Sequence, residues 1–439
     1  MNTSRSIQII FKNEQDFHQC GRFPKIQDLN ISDIYWQVTN TSNGTFYLFN
    51  AYYDDREDFE KLNDIRILAL VNRINPIVKT FCQMWFEDSN QPEIIEVYEY
   101  RMIWRPEYWD NNNEGATPYL ISCKIPHHRI NQIPKFVSLT EDRCEFANNA
   151  MEVKNKRPTN GYKKHFIVSV KQLDFVKDIS MQLIEWLEIL KILGVDKVEI
   201  FVVYAHKNVI RTLKFYNDEG FVNLKFIKFP RELPNNPYKN YHQYRHNQLI
   251  CYHDTFYENI NLYEFYIPMD IDEIILPIRE EDKTWQDLLK RTIEKSRNDT
   301  IDYECYTAIN QYFLLKNVHE NETIKGIPKT MRFLSNIYRA ANKTSKGSHL
   351  KTFMRTDRVM LVHNHLPIKC LKNESKFCKY FYIDDQDGFL AHYRDDCNDL
   401  ECKESKLNPV KDTTLWKYKE EILRNFNKTI ERLRNYKEI

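Results

Sequence analysis

The sequence predicts an α/β fold for the central part of the chain, preceded by a β-rich region. Residues 1–160 contain short runs of β-branched and aromatic residues between polar loops, a pattern typical of strands. From residue 161 on, apolar runs of strand length alternate with segments of helical periodicity. This alternation indicates a mixed, mostly parallel sheet covered by helices. A length of 439 residues is enough for two or three domains.

The β-rich N-terminal domain is assigned to residues 1–160. Its strand-like runs are rich in Tyr, Phe, Ile and Leu, and they lie at 44–56, 64–73, 80–88 and 118–126. The polar segment EVKNKRPTNGY at 152–162 contains Pro and Gly and is typical of a linker. We therefore place the first domain boundary within this segment.

The α/β domain is assigned to residues 161–400. Its predicted strands are continuous apolar runs, and two of its predicted helices end at Gly194 and Gly220. In chain order, the predicted elements are strand 165–171, helix 173–194, strand 196–205, helix 208–220, strand 222–229, helix 240–260 and strand 263–278. Residues 401–439 form a third region, which contains an amphipathic helix at 413–437.

The last of these strands, YEFYIPMDIDEIILPI at 263–278, carries two aspartates between apolar flanks. Because side chains alternate along a strand, Asp270 and Asp272 are expected to share one face at its carboxyl end. Ligands bind at that end in open α/β sheets. Two carboxylates there suit Mg²⁺ or Mn²⁺, which also coordinates a diphosphate, and Glu273 is expected to support them. The alternative interpretation is a solvated turn, since Asp is common where strands end.

The composition narrows the classes of function. The chain has 9 glycines, and it contains neither a P-loop pattern nor a dinucleotide-binding pattern. The net charge of +1 gives no electrostatic argument for nucleic-acid binding. The 10 cysteines include no C-x-x-C pair, so neither a zinc ribbon nor a thioredoxin-like site is expected.

The cellular compartment is left open between two alternatives. Nine N-x-[ST] sequons, together with the cysteines, favour a secretory compartment. However, the N-terminus MNTSRSIQIIFKNEQDF lacks a signal-peptide pattern, and no apolar window is long enough to span a membrane. Either the chain is cytosolic, or a membrane anchor precedes the sequence considered.

Several motifs together resemble glycosyltransferase family 92 over roughly residues 45–400. They are AYYDDR (51–56), DIRILAL (64–70), QLIEWLEILKILGVDKVEIFVV (182–203), FYIPMDIDEIILP (265–277), VHNHLP (362–367) and AHYR (391–394). The resemblance implies a GT-A nucleotide-sugar-binding domain and a metal-dependent, inverting reaction. The implied donor is UDP-galactose, the implied acceptor is a glycan such as an N-glycan, and the implied location is the Golgi.

The resemblance also suggests residues around the donor. The third metal ligand of a GT-A site is usually a late histidine; His365 is favoured over His363, although a histidine pair at a strand edge with no metal is the alternative. His392 either lines the diphosphate or caps a helix. Lys351 is expected to reach the diphosphate, or else to be a solvated strand charge. Asn247 is a candidate contact to the uridine or the sugar, although its surroundings depart from the family pattern.

An inverting reaction needs a carboxylate that takes the proton of the acceptor hydroxyl. Asp384 and Asp385, in the loop IDDQDG, are weak candidates for this base. Two other classes of function remain as alternatives: a metal-dependent phosphohydrolase or nucleotidyltransferase, and a glycan-binding module that has lost turnover. The first would also use two aspartates at a strand end, whereas the intact Asp270 and Asp272 argue against the second.

Overall fold

The computed structural model describes residues 20–56, 63–104, 115–236, 238–314, 324–371, 377–395, 403 and 409–436. The chain divides into two compact units. The first unit comprises Met1–Arg157 and Lys228–Glu258, and the second comprises Pro158–Ile227 and Asn259–Ile439. The segment 228–258 therefore belongs with the β-rich region, although it lies inside the range that the sequence assigned to the α/β domain. The C-terminal helix belongs to the second unit.

The first unit is built on a β-sheet. Within the described residues, ten strands form this sheet, in the order β6-β5-β9-β10-β3-β4-β8-β7, with β1 and β2 attached beside β3. The strands are β1 (Ile31–Asp33), β2 (Trp36–Thr41), β3 (Gly44–Asp54), β4 (Asp64–Val71), β5 (Phe81–Trp85), β6 (Glu93–Glu96), β7 (Glu99–Met102), β8 (Thr117–Lys124), β9 (Phe136–Thr140) and β10 (Met151–Lys154). The predicted β-rich region is confirmed.

Two disulfides cross-link parts of the first unit. Cys82 in β5 is bonded to the buried Cys123 in β8, and Cys20 is bonded to Cys144. A disulfide restricts the unfolded chain, and the loop closed by Cys20 and Cys144 spans 124 residues. The N-terminal segment that leads into β1 is thereby tied to the loop after β9.

The second unit contains strands β11 to β24, distributed over three sheets. Among the described residues, the largest sheet has the order β13-β12-β11-β14-β19-β16-β22, and a second has the order β15-β23-β17-β18-β24. The strands are β11 (Lys164–Asp174), β12 (Lys197–Tyr204), β13 (Val222–Phe226), β14 (Tyr263–Pro268), β15 (Glu273–Pro277), β16 (Cys305–Ala308), β17 (Asn310–Leu314), β18 (Tyr338–Ala340), β19 (Lys351–Arg355), β20 (Val359–Leu361), β21 (Lys369–Cys370), β22 (Tyr380–Tyr382), β23 (Gly388–Arg394) and β24 (Pro409–Lys411).

Six α-helices are found among the described residues of the two units. They are α1 (Ser180–Ile192), α2 (Lys207–Asp218), α3 (Tyr241–Asn259), α4 (Trp285–Ser296), α5 (Arg332–Ser335) and α6 (Lys419–Asn435). No helix in the described part of the chain is long and apolar enough to cross a membrane.

The central sheet of the second unit is parallel where the sequence predicted it to be. Strands β13, β12, β11 and β14 run parallel to one another, whereas β19 pairs with β14 in the antiparallel sense. Most of β11 is buried, which explains its continuous apolar run, because a strand between two parallel neighbours is covered on both faces. The predicted mixed α/β fold is confirmed.

The start of the first helix of the second unit differs from the sequence prediction. The helical spacing of apolar residues suggested a helix from residue 173, but β11 continues to Asp174 and α1 begins only at Ser180. Val176, one of the apolar residues at helical spacing in that range, is 72% exposed. The residues after β11 therefore form a connection at the carboxyl edge of the sheet.

Candidate active site

The two aspartates lie in a turn at the carboxyl end of β14. The sequence predicted one strand through 263–278, in which alternation would place Asp270 and Asp272 on a common face. This prediction is wrong, because β14 ends at Pro268 and β15 begins at Glu273. The Glu273 N–H donates to the backbone oxygen of Asp270 at 3.1 Å, and the Asp270 N–H donates to the Glu273 carboxylate at 3.0 Å. This hydrogen-bonded turn, rather than the alternation of side chains along a strand, therefore sets the relative positions of Asp270 and Asp272.

Neighbouring elements hold this turn through its backbone. Gln182, in α1, donates its amide to the oxygen of Ile271 at 3.1 Å, and it accepts from Arg332 at 3.2 Å. The Tyr393 N–H, in β23, donates to the backbone oxygen of Asp272 at 2.8 Å. Because these contacts are made to main-chain oxygens, they leave the carboxylates of Asp270 and Asp272 available to other partners.

Two ammonium groups contact the carboxylate of Asp270. Lys171, in β11, lies 2.7 Å from one carboxylate oxygen, and Lys351, in β19, lies 3.4 Å from the other. Burial alone would raise the pKa of Asp270, but Lys171 and Lys351 outweigh it and hold the pKa well below its usual value. Asp270 is therefore a carboxylate at neutral pH.

Lys351 is a buried cation rather than a solvated strand charge. Its side chain is 0% exposed, and its ammonium lies 3.0 Å from Glu273 and 2.7 Å from the Asn364 side-chain oxygen. This environment ties the acidic turn to the segment that carries the late histidines. Whether Lys351 also reaches a donor phosphate stays a prediction.

His392 faces the second aspartate. It is the register partner of Glu273 in the antiparallel β15–β23 pair, and its ring nitrogens lie 3.5 Å from Asp272 and 3.6 Å from Glu273. Burial would lower the pKa of His392, but Asp272 and Glu273 outweigh burial and raise it. Burial would likewise raise the pKa of Asp272, but His392 lowers it. The suggestion that His392 caps a helix is wrong, because the residue lies inside a strand.

The environment of His365 leaves it able to bind a metal ion. Its Nδ1 lies 2.8 Å from the Leu350 carbonyl oxygen, which can only accept, so Nδ1 carries the proton. Burial, and then Lys351, lower the pKa of His365 well below its usual value, so the ring is neutral and the Nε2 lone pair faces the Asn364 side-chain nitrogen at 3.4 Å. Among the described residues, however, the ligand atoms of Asp270, Asp272 and His365 are not gathered within 4.8 Å of one another.

The predicted donor contact Asn247 belongs to a different unit from the acidic turn. Asn247, in α3, belongs to the first unit, whereas the acidic turn belongs to the second. Its side chain is buried, accepts from Gln243 at 2.9 Å and donates to Asn235 at 3.1 Å. Its amide thus has structural partners on both atoms, and its predicted contact to a nucleotide sugar stays a prediction.

The structure does not bring the predicted base residues to the acidic turn. Asp384 is paired with Lys295 at 2.9 Å, and Asp385 is paired with Lys343 at 2.6 Å. Their loop directly precedes β23, whose first residue, Gly388, is paired with Pro277. The acidic turn lies at the other end of the β15–β23 pair, where His392 is paired with Glu273. The two ends of this ladder are four residues apart, a distance of about 13 Å. The loop therefore lies at the end of the ladder that is remote from Asp272.

Sequence reasoning missed two charged residues at the acidic turn. Lys171 is the last residue of the apolar run at 165–171, and its position at the end of a parallel strand was a signal that it would reach the same edge as Asp270. Asp395 follows β23 directly after Arg394, and only the pairing of β15 with β23 brings it to this end of the ladder. That pairing joins residues more than 100 positions apart.

Comparison with protein families identifies the family of the chain. The family model described as glycosyltransferase family 92 matches residues 164–426, which is more than half of the chain. A crystal structure of S. aureus TarS 1-349 is similar at 13% identity, with 60% of this chain and 71% of that chain covered and a TM-score of 0.26. The apo structure of the bifunctional glycosyltransferase WbbM matches at 12% identity, over 39% of this chain and 28% of that one, with a TM-score of 0.18. No curated protein sequence matches. The extent of the family match shows that the chain belongs to glycosyltransferase family 92.

Proposed function

We propose that the chain is a metal-dependent, inverting galactosyltransferase that transfers galactose from UDP-galactose to a glycan hydroxyl in a β-linkage. The observation that supports this most is the turn at the carboxyl end of β14, whose Asp270 and Asp272 have lowered pKa values and are therefore ionised. The family supports glycosyl transfer. The sugar, the stereochemistry and the metal dependence follow from the family resemblance and are the part of the proposal that needs testing.

The residues at the turn fit a hard divalent cation such as Mn²⁺ or Mg²⁺. Asp270 and Asp272 offer ionised carboxylates, and His365 offers a neutral ring nitrogen. A divalent cation bound there neutralises the negative charge that develops on a departing nucleoside diphosphate. The three groups must approach one another when a cation binds, since they are not gathered in the structure as it stands.

We propose Asp395 as the base that takes the proton of the acceptor hydroxyl. Asp395 lies two residues beyond Tyr393, whose N–H contacts the backbone of Asp272, so it belongs to the same end of the β15–β23 ladder. Its side chain is 47% exposed, and Arg332 and Lys177 orient it at 3.2 and 3.3 Å. A base must be reachable by an acceptor and fixed in direction, and Asp395 satisfies both conditions.

We propose an oxidising compartment, such as the Golgi lumen, for this activity. Three disulfides are present among the described residues, including Cys370–Cys378 in the second unit. Disulfides persist in secretory compartments and are rare in the cytosol. The nine sequons agree with such a location.

A coupled assay tests the proposal. Purified protein is incubated with Mn²⁺, a glycan acceptor and each of a panel of UDP-sugars, and the release of UDP is measured with and without a chelator. We expect release with UDP-galactose that requires both acceptor and metal. Release that does not require an acceptor would instead indicate nucleotide-sugar hydrolysis, and UDP binding without turnover would indicate a binding module.

A further inference from the structure

Asp270 is shared by two lysines whose surroundings differ. Lys351 has a side-chain exposure of 0%, whereas Lys171 is 27% exposed. Lys351 contacts Asp270, Glu273 and Asn364 together, so its ammonium is fixed from several sides. Lys171 makes the shorter contact to Asp270, yet solvent reaches its side chain.

Lys171 is placed where an anion would arrive. Strands β11 and β14 are parallel, and Ser169 is the register partner of Pro268. Lys171 is therefore level with Asp270, just beyond the residues of β11 that pair with β14 and close to the carboxyl end of β11. Ligands of open α/β sheets bind at the carboxyl edge of the strands, and the partly exposed side chain of Lys171 carries a point charge suited to a phosphate.

Basic side chains of the protein already contact the carboxylates of the turn. The carboxylates of Asp270, Asp272 and Glu273 are matched by three basic side chains: Lys171, Lys351 and His392. A divalent cation that takes Asp270 would meet the ammonium of Lys171 on the same carboxylate, and two cations at that distance repel each other. Lys171 is the partner that can leave, because Lys351 is buried.

We propose that Lys171 is a phosphate-binding residue for the nucleotide-sugar donor, which neutralises Asp270 in the metal-free protein and moves onto the donor diphosphate when a metal ion binds Asp270. This role rests on the proposed function, since it requires a diphosphate donor and a metal ion at the turn. It gives Lys171 two opposed effects. Its charge weakens the binding of a metal ion alone and strengthens the binding of UDP.

The Lys171→Gln variant separates these effects. We measure the affinity for Mn²⁺ alone, by electron paramagnetic resonance of free Mn²⁺, and then the affinity for UDP in saturating Mn²⁺, by calorimetry. We expect Mn²⁺ to bind about 3- to 10-fold more tightly, because a competing cation is lost. We expect UDP to bind about 10-fold more weakly, because a charge-assisted contact is lost.

Two further variants serve as controls. Lys171→Arg keeps the charge, and we expect its affinity for UDP to remain within about 3-fold of the wild-type value. Lys295→Gln removes a lysine that likewise bridges two carboxylates, those of Asp384 and Asp387, at the remote end of the ladder. We expect neither affinity to change in this variant.

Three results would overturn the inference. Weaker binding of both Mn²⁺ and UDP by Lys171→Gln, with a lower thermal unfolding midpoint, would show that Lys171 only supports the fold. Unchanged affinities would show that Lys171 contacts neither ligand. If the wild-type protein binds no UDP with or without Mn²⁺, the proposed function itself fails, and the role of Lys171 fails with it.

Discussion

Replacing Asp272 by alanine is expected to abolish metal-dependent transfer while leaving the fold intact. The side chain of Asp272 is 32% exposed, and its carboxylate contacts His392 at 3.5 Å. The Tyr393 N–H bonds the backbone oxygen of Asp272, so the substitution preserves that contact. A partly exposed pair of this kind contributes about 0–1 kcal/mol to stability. The free energy of unfolding should therefore fall by about 1 kcal/mol at most.

The expected loss of activity is much larger. If the carboxylate of Asp272 helps to hold the cation that stabilises the leaving diphosphate, its removal takes away several kcal/mol of transition-state stabilisation. A loss of about 4 kcal/mol corresponds to about a 10³-fold fall in kcat/KM. Activity would be measured as UDP release from UDP-galactose in Mn²⁺ with a glycan acceptor, and stability by chemical unfolding of the same samples.

Asp384→Ala is the matched control for this experiment. Asp384 is also a loop carboxylate that is paired with one basic side chain, and it is 44% exposed, but it lies at the remote end of the β15–β23 ladder. We expect this variant to keep nearly wild-type activity. Wild-type turnover in the Asp272→Ala variant would refute the assignment of the acidic turn as the metal site.

Three further predictions concern residues around the turn. Glu273→Gln removes a buried charge that lies 3.0 Å from the buried Lys351, so we expect the free energy of unfolding, measured in urea, to fall by about 3 kcal/mol. Asp395→Asn should lower kcat by about 10²-fold or more without changing the affinity for UDP, whereas Asp385→Asn should change neither; equal effects of the two substitutions would contradict the choice of base. The pKa of His392 is raised in the folded protein, so its pairing stabilises the fold fully below about pH 6.5 and is lost as the pH rises through the raised pKa. His392→Gln should therefore cost more stability at pH 6 than at pH 9, and a cost that is independent of pH would contradict this pairing.

The sequence placed the two aspartates of the candidate site at a strand end but did not predict their geometry. The apolar runs on both sides of Asp270 and Asp272 located them correctly at the end of a parallel strand. Alternation then suggested a shared strand face. The strand instead ends at Pro268, and the hydrogen bonds between Asp270 and Glu273 close a turn. The local pattern of apolar residues cannot distinguish a continuous strand from a strand that ends in a turn, because both place Asp270 and Asp272 at the same edge of the sheet.

Contacts between residues that are distant in sequence explain the remaining differences. The antiparallel register of β15 and β23 separates Asp384 and Asp385 from the turn and brings Asp395 to it. Similarly, Asp254 in α3 accepts hydrogen bonds from Asn50 at 2.7 Å and Tyr52 at 2.5 Å, which ties this helix to the first unit. Such pairings depend on the packed fold, and a single sequence contains no signal for them.

We expect the acidic turn and a metal ion to bind the diphosphate of the donor together. This is tested by a calorimetric titration of UDP into the wild-type protein, once in Mn²⁺ and once in a chelator. UDP should bind about 100-fold more tightly in Mn²⁺, a difference of about 2.7 kcal/mol. Equal affinity for UDP under the two conditions would contradict it.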